Sequence, residues 1–330
     1  MAEIFDTLLL LALPGSGKSE VRAYLSSKAP EEFHMGPTVQ LDDYPYVHLQ
    51  LRVDEELERL GQPRAFHEAD PAGRNGPFKD PRELGGLICL LDEDYHELVR
   101  GEAERPEHAA ARLLERFDAA SERAGAARKF DALPDDVRAN LLDSLEAEAR
   151  AFFEDKANNT PPSLDGKTVV IEFARGGPDT GEMPLPPGYG YRDSLKFFSP
   201  DMLRRSAILY IWVTPEESRR KNIARYKPEE GGDASILHHT TPASVMEQEY
   251  GACDMAWLME TSPKPGTIAV ESQGETIFVP AEKFDNRTDL TSFLREDPAS
   301  WAPEDVARIH GVIKEAAASL WARTTARKPA

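Results

Sequence analysis

Apolar positions along this chain fall into two patterns: short unbroken runs, and longer stretches spaced by three and four residues. Ile4 to Leu13 is an unbroken run of strand length, as expected of a parallel strand covered on both faces. Val21, Tyr24 and Leu25 then predict a first helix, ended by Pro30, and Thr38–Leu41 a second short strand running into Asp42-Asp43-Tyr44-Pro45. A helix is expected from about Tyr46 to Leu60, closed by Gly61, whereas residues 61–86 are rich in Gly, Pro and charge and read as a long loop. Ala109, Ala110, Leu113, Leu114 and Phe117 share one helical face, as do Val137, Leu141, Leu142, Leu145, Ala149 and Phe152, with a break at Gly125. Further strands are expected at Thr168–Phe173 and Ala207–Val213, with Pro215 opening a charged helix after the latter. Residues 266–284 read as a hairpin turning at Gln273-Gly274 that ends in a last core strand, and Val306, Ile309, Ile313, Ala317 and Leu320 line one face of a C-terminal helix.

This alternation of strand and helix predicts an α/β fold: a parallel β-sheet core with flanking helices, forming a single domain over 1–330 with a large, mostly helical insertion at 76–156. Right-handed crossovers would bring the acids at the strand ends to one edge of the sheet.

Composition narrows the partners. The formal net charge of −19 argues against a nucleic-acid partner, which calls for a basic stripe, but leaves small anionic substrates open. Cys89 and Cys253 lie far apart in no metal-type spacing and are expected to be reduced thiols. No run is long enough for a membrane span, so a cytoplasmic protein is expected.

The candidate chemistry begins where the first strand ends. Pro14-Gly15-Ser16-Gly17-Lys18-Ser19 has the composition of a phosphate-binding P-loop: glycines that let backbone amides turn inward, a lysine for the β/γ-phosphates, and a hydroxyl for Mg²⁺. Ala12 stands where that pattern usually has its first glycine. Glu172 lies near the end of a buried strand, Asp42 and Asp43 follow another, and Arg219, Arg220, Lys221 and Arg225 cluster on the charged helix.

With these residues the chain resembles P-loop kinases of the nucleoside and nucleotide kinase type. The resemblance covers the core strands and their motifs. It implies ATP and Mg²⁺ as cofactors and a small-molecule acceptor. Pro14 to Ser19 would bind the nucleotide, with Lys18 also catalytic, and Ser19 and Glu172 would serve the metal. Asp42 or Asp43 would accept the proton of the attacking hydroxyl; the sequence does not choose between them. Arg219, Arg220 and Arg225 would belong to a lid at 215–240 with its tip at 227–233, and Asn286 would lie near the base. No [NT]-K-x-D motif for guanine occurs, which favours ATP. The 76–156 insertion would bind the acceptor. The competing expectation is a P-loop ATPase or nucleotide-dependent regulatory module whose insertion binds a protein partner.

Overall fold

The unbroken apolar runs become the centre of one sheet. A computed structural model describes residues 3–69, 75–224 and 241–327 of the chain. The first strand, β1 (Thr7–Leu11), leads through a glycine loop into α1 (Lys18–Ser26) and the short α2 (Pro30–Phe33). Then come β2 (Thr38–Asp42), α3 (Tyr44–Arg59), the hairpin strands β3 (His67–Ala69) and β4 (Asn75–Phe78), and the helices α4 (Glu83–Arg100), α5 (Ala109–Arg123) and α6 (Asp135–Asn159). The chain continues through β5 (Thr168–Phe173), α7 (Gly190–Leu195), α8 (Pro200–Arg205), β6 (Ser206–Trp212) and α9 (Pro215–Ala224). Last are α10 (Ala243–Gln248), α11 (Met255–Thr261), β7 (Thr267–Ser272), β8 (Glu275–Asp285) and α12 (Pro303–Arg327).

The main sheet has six strands in the order β2-β5-β1-β6-β8-β7. All neighbours run parallel except β7, which pairs antiparallel with β8. This is an α/β fold with a mostly parallel sheet and flanking helices. Parallel strands need both faces covered, and every residue of β1 and β5 is buried. One face packs Leu8, Leu10, Val170 and Leu209 against Val21 and Leu25 of α1 and Ile309, Ile313 and Leu320 of α12. The other packs Leu9, Leu11, Ile171 and Ile208 against α4, α7, α8 and α11.

Helices α3 to α6 enclose a separate apolar core, in which Tyr46, Leu49 and Val53 meet Leu84, Leu87, Leu113, Phe117, Leu141 and Leu145. Helix α4 belongs to both cores, since its Ile88, Leu91, Tyr95 and Leu98 pack on the sheet. Its sequence does not advertise a helix, because Gly85 and Gly86 interrupt the first turns. The structure explains Gly85: a Cβ there would run into the ring of Phe197. The 61–86 stretch is likewise not wholly loop, since it contains β3, β4 and the start of α4. Asp92 and Asp94 of α4 are buried: Asp92 accepts the Ser199 amide at 2.8 Å, and Asp94 accepts the Tyr46 hydroxyl at 2.5 Å and Arg116 at 2.8 Å. Among the described residues no helix is long and apolar enough to cross a membrane.

A single carboxylate holds the entry to the hairpin. Asp54, fully buried on α3, accepts the amides of Ala65 (2.6 Å), Phe66 (2.9 Å) and His67 (2.9 Å) and bonds the His67 ring at 2.9 Å. Burial opposes its charge, but the His67 ring and these amides outweigh that and hold its carboxyl below the usual range. Removing it strands several buried donors, so Asp54→Ala is expected to cost about 3–4 kcal/mol of stability, read as a lowered urea midpoint at pH 7.

Candidate functional site

Sheet register gathers the site. Leu10 of β1 and Asp42 of β2 both sit opposite Glu172 of β5, so two acids occupy adjacent strands at one sheet edge, beside the loop that leaves β1. The chain visits β2 beyond β5, returns to β5, and crosses β1 to reach β6, so this loop lies at the centre of the edge where strand order reverses. Ligands of open α/β sheets bind at such points.

The loop from Ala12 to Gly17 is held from behind. The Tyr191 hydroxyl donates to the Ala12 carbonyl at 3.0 Å, the Ser16 hydroxyl to that of Leu13, the Ser218 hydroxyl to that of Pro14 at 2.7 Å, and the Asn286 amide to that of Ser16 at 2.8 Å. Gly15 and Gly17 adopt φ of 72° and 93°, a left-handed geometry suited to glycine. A Cβ at Gly15 would approach the Asn222 backbone at 3.2 Å, and one at Gly17 would collide with the Thr291 hydroxyl. The amides of Gly15, Ser16 and Gly17 donate no hydrogen bond among the described residues. With the carbonyls satisfied on one side and these amides open at the start of α1, the loop has the geometry that can receive an anion.

The acids are unequal. Asp43 is buried against Arg175 Nη1 at 2.6 Å, and Arg175, itself buried, also donates to the Leu84 carbonyl at 3.0 Å. Glu172 is buried and ion-paired with Arg22 of α1, one turn beyond Lys18. Asp42 is half-buried and accepts the Tyr44 amide at 2.8 Å. Burial, then the charges of Asp43 and Glu172, push its carboxyl up to about 7 against the opposing pull of the Tyr44 amide and Lys18. Asp42 also lines a groove of about 610 Å³ along the outer edge of β2, which no glycine-loop residue lines.

Other residues lie as follows. Lys18 and Ser19 open α1, with Lys18 half-buried and Ser19 exposed. Arg219 pairs with Glu216 at 3.4 Å and Arg220 with Glu217 at 2.6 Å, both within α9, while Arg225 and the tip at 227–233 lie outside the described residues. Helix α9 meets the glycine loop through Ser218, Lys221 and Asn222 instead, and buried Lys221 ion-pairs with Asp289 at 2.9 Å. Asn286 is fully buried, its amide shared between Ser16 and Thr291 (2.8 Å each) and its carbonyl accepting from Leu290 at 2.7 Å. Its side chain is therefore spent on bracing the loop.

Sequence reading missed Arg22, whose signal is its spacing of four from Lys18, and the pairing of Arg175 with Asp43, which no local pattern reveals. It also missed Glu249, whose buried carboxylate accepts the Phe78 amide at 2.6 Å and is pushed up to about 7 by burial. Among the described residues no group of three or more His, Cys, Asp or Glu side chains could hold a metal ion by itself. No family model, curated protein or solved structure matches the chain.

The contact at Gly17 yields a test. Gly17→Ala is expected to cost about 1–3 kcal/mol from left-handed strain and the clash with Thr291, read as a lower urea midpoint. Thr291→Ala in that background should recover only part of the loss, since the backbone strain remains.

Proposed function

We propose that the chain is an ATP-dependent phosphotransferase of the P-loop kinase type, moving the γ-phosphoryl of Mg-ATP to a hydroxyl of a small-molecule acceptor. The observation that carries this reading is the pairing of three open loop amides, Gly15 to Gly17, with Asp42 and Glu172 at the same sheet edge. The amides and Lys18 would bind the phosphates and neutralise charge as it shifts onto the leaving oxygen.

The donor set suits Mg²⁺, a hard ion that takes one or two protein oxygens and leaves the rest of its sphere to phosphates and water. Ser19 and Glu172 would hold it, and its contribution would be to neutralise the phosphates. Arg22 orients the Glu172 carboxylate and balances its charge.

Asp42 is assigned as the base. Its carboxylate takes the proton of the acceptor hydroxyl as that oxygen bonds to the γ-phosphorus and the bond to the β-phosphate oxygen breaks, releasing ADP. Asp43 is a poorer candidate, since its carboxylate is held by Arg175. Its role is to anchor the strand end that carries Asp42. Asn286 supports the loop that holds the phosphates, and contact with the nucleotide base falls to other groups.

Incubation with Mg-ATP and a library of hydroxyl-bearing metabolites and short peptides, followed by mass spectrometry, tests the reading. The expected result is a product heavier by one phosphoryl group, and acceptor-independent ADP release alone would overturn it in favour of an ATPase module. Asp42→Asn is expected to lower kcat about 100-fold or more. In the unmodified protein kcat should rise with pH through about 7, as Asp42 ionises. The same shift has a stability consequence of definite sign. A carboxyl whose folded pKa is raised opposes folding once ionised, so its cost grows from about pH 4 to about pH 7. Asp42→Asn should therefore raise the urea midpoint at pH 8, which a merely misfolded variant would not do.

A further inference from the structure

Strand β2 is an outer strand of the sheet, and its open edge forms one wall of the 610 Å³ groove. The Pro37 carbonyl accepts the Thr168 amide at 3.1 Å, which sets the alternation: Pro37, Val39 and Leu41 turn their backbone groups toward β5, while Thr38, Gln40 and Asp42 turn theirs outward. The outward groups of Thr38 and Gln40 have no hydrogen-bond partner among the described residues. Lys167, next to the register partner of Thr38, lines the groove at the end where β2 begins and forms no ion pair among the described residues. Asp42 lines the other end, four residues and roughly 13 Å away along an extended strand.

We infer that this groove binds a short extended peptide, antiparallel to β2, with its terminal carboxylate at Lys167 and a hydroxyl-bearing residue at Asp42. An open strand edge recognises amides, a lone ammonium recognises a carboxylate, and the two charges fix the direction. The span from Asp42 to Thr38 takes five residues. The third and fifth would exchange paired backbone bonds with Gln40 and Thr38, leaving the first opposite Asp42. This assignment rests on the proposed phosphotransfer and names its acceptor class, since Asp42 is the residue shared by the groove and the phosphate end of the site.

Binding and transfer are measured separately. The probe is acetyl-Ser-Ala-Gln-Ala-Ala with a free C-terminal carboxylate, titrated without nucleotide into the full chain while the Thr38 and Gln40 amides are followed by NMR. Shifts at both amides are expected, with affinity weakened about tenfold by Lys167→Ala or by amidating the peptide terminus, the two changes together being no worse than either alone. Gln40→Pro, tolerated on an outer edge but lacking the N–H, should weaken binding further. Absence of shifts at millimolar peptide overturns the proposal. So does a dimer in sedimentation whose interface protects Thr38 and Gln40, because the edge then belongs to a second copy. Shifts without phosphorylation of the serine under Mg-ATP uphold the peptide site and remove the phosphotransfer reading alone.

Discussion

Three carboxylates at one end of a parallel sheet repel one another, and the rest of this edge is organised around that repulsion. Strand register puts Asp42 beside Glu172, and chain continuity adds Asp43. Like charges at this range in a partly desolvated place are costly unless matched. The matching cations come from different elements: Arg22 of α1 on Glu172, and Arg175 from the loop after β5 on Asp43. Asp42 receives the Tyr44 amide and the field of Lys18, and its carboxyl is the one pushed up to about 7. An unequal distribution of cations over three similar groups gives them different chemistry, which is how neighbouring carboxylates come to divide acid–base and structural roles.

The glycine loop depends on the same assembly. Its carbonyls are satisfied by side chains from α7, α9 and the segment after β8, elements far apart in sequence. A loop of this composition would sample many conformations alone, because glycine loses the most freedom on ordering. Held from behind, its amides are ordered by the protein itself, so under the proposed reading binding would not have to supply that ordering energy. The direct packing of α9 on Gly15, through Ser218, Lys221 and Asn222, ties the charged helix to the loop.

Local patterns carried the core strands, because a buried parallel strand needs an unbroken apolar run and little else. They also carried the glycine loop, whose backbone geometry demands particular residues in a fixed order. Helix α4 was not legible, since Gly85 and Gly86 break its propensity, and Gly85 is required only by the distant ring of Phe197. Hairpin β3–β4 was hidden for a related reason: its entry is stabilised by Asp54, on another element. At the site, the acids could be read from their places at strand ends. Their partners could not, because Arg175–Asp43 and Arg22–Glu172 join residues more than a hundred positions apart. Asn286 was visible as a polar residue after the last strand, but burial turns it toward the loop.

The insertion and the sheet edge are mechanically one piece. Helix α4 contributes to both the sheet core and the insertion core, so it cannot shift without disturbing packing on either side. Two polar links cross the same boundary: Arg175 joins the Leu84 carbonyl of α4 to Asp43, and Glu249 takes the Phe78 amide of the hairpin. Burial pushes the Glu249 carboxyl up to about 7 while nearby Arg175 lowers it, so this link responds to the charge that Arg175 presents. Anything that engaged the insertion hard enough to move α4 would pull on Arg175, loosen its hold on Asp43, and change the field at Asp42. Under the proposed reading, the position of the insertion and the strength of the base are therefore coupled through one buried guanidinium. That coupling would need no hinge, because Arg175 is bonded to both parts at once.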